Sequence, residues 1–174
     1  MATMVSSTTM ITPILQELRE EAAITKRVLD CVPADKLTWK PHAKSMTLGQ
    51  LAGHIAAIPG RLSRMAQEDS FDVLKGSFVP PQPRSREEIL STLEQGVRDA
   101  EQILQSMTDE RMTGTFRLIK GDRELFRQPR ANVVRTIMLN HWYHHRGQLS
   151  VYLRLLDVPL PVIYGRSADT DPFA

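Results

Sequence analysis

Cysteine is nearly absent. Cys31 is the only one in 174 residues, so no intramolecular disulfide can form and no cysteine-based zinc motif exists. A lone thiol near the end of a predicted helix reads as a small buried hydrophobe. Reduced surroundings, and so the cytoplasm, are the expected setting. Long apolar runs are missing too: nothing approaches the ~20 residues of a membrane span. The opening MATMVSSTTM has neither a basic n-region nor an apolar h-region, so no signal peptide is expected and residues 1–10 read as a disordered start. Charge of one sign is also lacking. Lysine and arginine number 22 against 20 acidic residues, a net charge of +2, and no basic run is interleaved with aromatics. Neither nucleic acid nor a membrane is therefore an expected partner.

What the chain does have is helical periodicity. Hydrophobic residues make up 41% and charged residues 24%, ordinary values for a soluble globular protein, and the length fits residues 1–174 as one domain. Thr12-Pro13 reads as an N-cap and N1 pair. It opens a helix to about Cys31, with Ile14, Leu15, Leu18, Ala22, Val28 and Leu29 as its stripe. Thr47-Leu-Gly-Gln50 is a capping box for a second helix, which Pro59 is expected to kink or break. The proline-rich stretch SFVPPQPRS makes a long connection. Ser85-Arg-Glu-Glu88 then opens a third helix, from about Arg86 to Met107. Residues 112–127 are weaker, with a short strand and turn at Thr115 to Asp122. A fourth helix is expected from near Arg130 to about Leu156. The fold class that follows is all-α, a four-helix bundle with a long connection between helices two and three.

Histidine is scarce but crowded. Three of the five fall within NHWYHH, at His141, His144 and His145. The apolar stripe of the fourth helix runs through Val134, Ile137, Met138, His141, His145, Gln148, Leu149 and Tyr152, which puts His141 and His145 in the row expected to face the core. Four residues advance a helix by about 6 Å and turn it by a net of about 40°. The two imidazoles thus project to one side, at the spacing that chelates a divalent ion. The intervening Trp142-Tyr143-His144 supplies no glutamate base, so zincin chemistry is not implied. Alone, the pair fits packing as well as ligation. His54 lies between Leu51 and Ile58 on the second helix, again where an apolar residue is the default. Three buried imidazoles need partners, and one metal ion satisfies all of them.

Around that set, Gln148 can orient a ligand imidazole. Arg146 or Arg154 can fix an anionic substrate group, although each also reads as a solvated or salt-bridged arginine. His144 reads as a groove or surface residue and His42 as exposed in a linker. Phe71, Val73, Leu74 and Phe78 read as an exposed apolar surface, so a homodimer is expected.

His54 in LGQLAGHI, the stretch HWYHHRGQLSVYLR and the tail VPLPVIYGRSAD together resemble the DinB/YfiT-like metalloenzymes, in matching order over nearly the whole chain. The resemblance implies an up-down-down-up four-helix bundle and a three-histidine metal site at His54, His141 and His145. It also implies zinc or nickel as the metal. Relatives of this kind include thiol transferases that use bacillithiol or mycothiol, and a maleylpyruvate isomerase. The expected partner is thus a small-molecule substrate, a low-molecular-weight thiol among the options. Three protein nitrogens leave open positions on the ion, the pattern of a catalytic site. The alternative is a non-catalytic metal-binding scaffold, or a bundle that binds a ligand without metal.

Overall fold

Thr47 and Gln50 close their capping box. Thr47 Oγ1 accepts the Gln50 amide at 3.1 Å, and Gln50 Oε1 accepts the Thr47 amide at 3.0 Å. Helix α2 follows over Leu48–Gln67 and does not break at Pro59. Tertiary packing holds it there: Ile58, Pro59 and Gly60 are all buried. A β-carbon on Gly60 would come within 2.8 Å of Gly96 Cα, so two glycines let this helix and α3, Arg86–Gln105, approach closely. Ser85 caps α3 by accepting the Glu88 amide at 3.2 Å. The Glu88 carboxylate takes the amide of Arg84, not that of Ser85, so only half of this second box forms. Helix α1 spans Ile11–Asp30 and begins one residue ahead of Thr12, with Met10 at the cap position.

In this computed structural model residues 10–77, 79–171 and 173 are described. Nine residues of the expected disordered start, and Phe78 of the expected apolar surface, lie outside them. Phe71 and Val73 are half-buried, so of that surface Leu74, 64% exposed, stands open among the described residues. No helix among them is long and apolar enough to cross a membrane.

The all-α expectation needs correction: the fold is mostly helical but includes a three-stranded sheet. After the short helix α4, Asp109–Thr113, strands β2, Thr115–Lys120, and β3, Arg123–Pro129, form an antiparallel hairpin. Its turn carries Gly121 at φ 58°, a conformation that glycine adopts without steric cost. Strand β1, Ser70–Asp72, joins β2 in parallel with Phe71 opposite Leu118. The Asp72 carboxylate ties the edge together by accepting the amides of Leu74 and Gly121, at 3.0 and 3.2 Å.

The fourth helical stretch is not uniform. It comprises α5, Arg130–Val133, a π-helical segment, Val134–Asn140, and α6, His141–Leu155. Helix α2 packs on α3 and α6, and α1 on the same two. Leu18, Leu29, Leu51, Ile55, Leu93, Leu104, Trp142 and Leu149 are all in the core between them. On α6 the buried row is Trp142, Arg146, Leu149 and Leu153. The row of His141, His145 and Gln148 lies beside it, so the expected core face was set one residue off.

The cause is Arg146. A charged residue breaks the apolar pattern, yet it is 1% exposed. Its guanidinium pairs with Glu21 at 2.6 Å, donates to Thr25 Oγ1 at 3.1 Å and bonds the Tyr164 hydroxyl. That ties α6 to α1 and to the C-terminal tail. Removing one partner of such a pair leaves an uncompensated buried charge, which costs about 3–5 kcal/mol. Glu21→Ala should therefore lower the unfolding free energy by roughly 3 kcal/mol in urea denaturation. Asp30→Ala, which breaks the exposed pair with Lys26, should cost no more than about 0.5 kcal/mol.

Candidate metal centre

His54 lies in the middle of α2, His141 opens α6, and His145 follows one turn later. All three are half-buried, and one ring nitrogen from each falls within 4.8 Å of the others. His54 Nε2 is 3.5 Å from His141 Nε2, which is 2.6 Å from His145 Nε2. Sequence spacing placed two of these imidazoles together on one helix; the packing of α2 against α6 brings in the third.

The far side of two rings is held. His145 Nδ1 lies 2.7 Å from Gln148 Oε1. An amide oxygen only accepts, so Nδ1 carries the proton and Nε2 is a bare lone pair. The His141 ring bonds to the backbone carbonyl of Ile137, again as a donor. In a regular α-helix that carbonyl would take the His141 amide, but here the amide bonds to Met138. The ring and the amide of His141 thus use different carbonyls where the π-helical segment ends, and such irregularities recur at functional sites. Both imidazoles turn Nε2 lone pairs toward one another across 2.6 Å. Two lone pairs at that distance repel unless a cation or proton lies between them, and three neutral nitrogens around one point fit a divalent transition metal ion.

The electrostatics favour the ligating form. Burial lowers the His54 pKa to about 4, assisted by His145, His141 and Arg61. Burial is also the main cause of the lowered pKa of His141, with His145 next and the Ile137 bond opposing. For His145, burial outweighs the opposing bond to Gln148. In all three rings burial thus favours the neutral form.

The remaining expected residues lie elsewhere. His144 is exposed, its ring 5.0 Å from that of His145 and outside the trio. His42 is exposed and accepts the Lys44 amide at 3.1 Å. Arg146 faces Glu21, away from the imidazole row, and Arg154 pairs with Asp169. Two features went unread in the sequence. One is a cavity of about 250 Å3 reached by His54 and His141, walled by helix and sheet side chains. The other is Arg61 at that cavity, a residue seven positions after His54 on α2, a spacing that keeps both on one helix face. A second cavity, of about 190 Å3, also reaches His54, between Gly53, Pro80 and Ile89.

The lowered pKa values have a signed consequence for the metal-free protein. The unfolded chain takes up protons near the ordinary value of 6.5, whereas folded His54 resists until about 4. Stability from this source is intact above pH 6.5 and is lost progressively as pH falls toward 4. Urea midpoints of metal-free protein should decline from pH 6.5 to 5, and decline less steeply in His54→Leu. Equal slopes in the two proteins would contradict this.

Comparison with known proteins places the fold. Over residues 4–171 the sequence matches the DinB family. A DinB-like protein of Bacillus cereus is 24% identical, with 86% of this chain and 95% of that one covered at a TM-score of 0.68. A DinB-like protein of Bacillus subtilis is 18% identical, with 90% and 100% covered, also at 0.68. At such identities the likeness to these structures is one of fold. No curated protein matches the chain. With the family match extending over nearly all of its length, this chain belongs to the DinB family.

Proposed function

We propose that the chain is a metal-dependent enzyme of thiol-transfer or hydrolytic type. His54, His141 and His145 hold one divalent transition metal ion, zinc or nickel. The observation that carries this is the facing pair of Nε2 atoms, 2.6 Å apart, with the third nitrogen 3.5 Å from His141. A divalent ion with three imidazole ligands keeps open coordination positions and lowers the pKa of a water or thiol that occupies one. The chain's own residues do the rest. Gln148 and the Ile137 carbonyl fix the tautomer and orientation of His145 and His141, as outer partners of metal-ligating histidines do. His54 anchors the site to a second helix, so the nitrogens stay gathered only while α2 and α6 stay packed. The adjoining cavity supports catalysis over a purely structural ion: it offers room beside the imidazoles for a small-molecule substrate, a low-molecular-weight thiol being one. We also propose that residues 1–174 form one domain with the up-down-down-up four-helix arrangement.

Elemental analysis of protein purified without a histidine tag should give about one divalent ion per chain. His145→Ala should abolish uptake and lose the rise in melting temperature that added metal gives the parent. His144→Ala should keep both. Gln148→Leu should keep the ion but weaken its affinity by about tenfold. Retention by His145→Ala with loss in His144→Ala would overturn the assignment. An activity screen with low-molecular-weight thiols, run with and without chelator, distinguishes an enzyme from an inert metal scaffold.

A further inference from the structure

The cavity beside His54 and His141 has a divided chemistry. Its wall is apolar: Ile58, Leu62 and Met65 come from α2, Phe71 from β1, Leu118 from β2 and Ile137 from the π-helical segment. The sheet, which the helical periodicity did not foretell, closes one side, where register partners Phe71 and Leu118 both line it. Among the described residues that line it there is no carboxylate, and Arg61 is the single permanent cation. Arg61 Nη2 donates to the Ser77 carbonyl at 3.1 Å. Among the described residues it pairs with no acidic side chain, unlike Arg64 one turn later, which holds Asp99 at 2.6 Å. A guanidinium with no carboxylate of its own, at the edge of an apolar chamber, is suited to an incoming anion.

Size and spacing narrow the ligand. About 250 Å3 is below the ~300–1,000 Å3 of clefts that take drug-sized molecules. Seven residues separate His54 from Arg61 along α2, roughly 10 Å of rise, which bounds the length of a molecule that touches both. A single guanidinium matches one planar monoanion. We propose that this cavity is the substrate chamber of the site and takes a small molecule with an apolar body and one carboxylate, which Arg61 holds while the other end lies at His54 and His141. This rests on the proposed function for what happens at the imidazoles, but not for the binding itself.

Three probes separate the parts: hexanoate, hexanol with the same body and no charge, and acetate with the charge and almost no body. They are titrated by calorimetry into metal-free protein and, separately, into zinc-loaded protein. In the metal-free protein hexanoate should bind about tenfold more tightly than hexanol, and acetate should not bind measurably. Arg61→Met retains an unbranched apolar stem and should bring hexanoate down to the level of hexanol. Val73→Phe, which narrows the chamber, should weaken both. Equal affinity for hexanoate and hexanol would overturn the proposal, as would an unchanged hexanoate affinity in Arg61→Met. So would hexanoate binding that appears only with zinc, because the ion would then be reading the carboxylate. Failure to load zinc while metal-free binding follows the expected order would instead refute the metal centre and leave the chamber standing.

Discussion

The orientation of α6 depends on one buried ion pair. Arg146 meets Glu21, Thr25 and Tyr164 with almost no solvent contact, and turning the helix away from α1 would break this pair and strand the Glu21 partner. Successive residues of an α-helix differ by about 100°. With Arg146 directed at α1, the row of His141, His145 and Gln148 is turned to the neighbouring face, where α2 brings His54. The charge that disrupts the apolar pattern of this helix thus sets the direction in which its histidines point. Tyr143, whose hydroxyl donates to Glu17 at 2.8 Å, adds a second polar tie to α1. Burial and the Glu17 carboxylate hold its phenol neutral by raising its pKa.

A second buried arginine sets position along the axis. Arg130 opens the last helical stretch and is fully buried. Its guanidinium donates to the carbonyls of Ala66, Arg111 and Glu68 at 2.5, 2.7 and 2.9 Å. The first and last of these lie at the C-terminal end of α2, where carbonyls have no helical partner, so the same side chain caps α2 and ties it to the start of the stretch that carries His141 and His145. Between the Arg130 and Arg146 anchors lies the π-helical segment, which ends just before His141. Two fixed ends with an irregular turn between them hold the His141 ring against the Ile137 carbonyl and toward its neighbours.

Much of this was legible in the sequence, and the exceptions have physical causes. The four helical stretches follow from periodicity and from Thr47-Gln50 and Ser85. His54, His141 and His145 stood out as polar residues in apolar rows, and the structure gathers them. The core face of α6 was misplaced because a buried arginine looks like a surface residue until Glu21, 125 positions away, is seen opposite it. Pro59 suggested a kink or a break because the local rule weighs one lost hydrogen bond, whereas the helix continues through it, packed closely across Gly60 and Gly96. Of the sheet, the short strand and turn expected at Thr115 to Asp122 are there as β2 and its turn, whereas β1 was missed for two reasons. Strand β1 is only three residues long, too short for alternation to register. Its pairing with Leu118 is a contact across 47 residues that no local pattern encodes.

The claim on which the functional reading turns is that three imidazoles from two helices share one ion. X-ray absorption at the zinc edge of stoichiometrically loaded protein tests it most directly. The fit should require three imidazole nitrogens at about 2.0–2.1 Å, completed by non-protein oxygen or an added thiol sulfur. A first shell with fewer than three imidazoles, or one built from carboxylate oxygen, would contradict it.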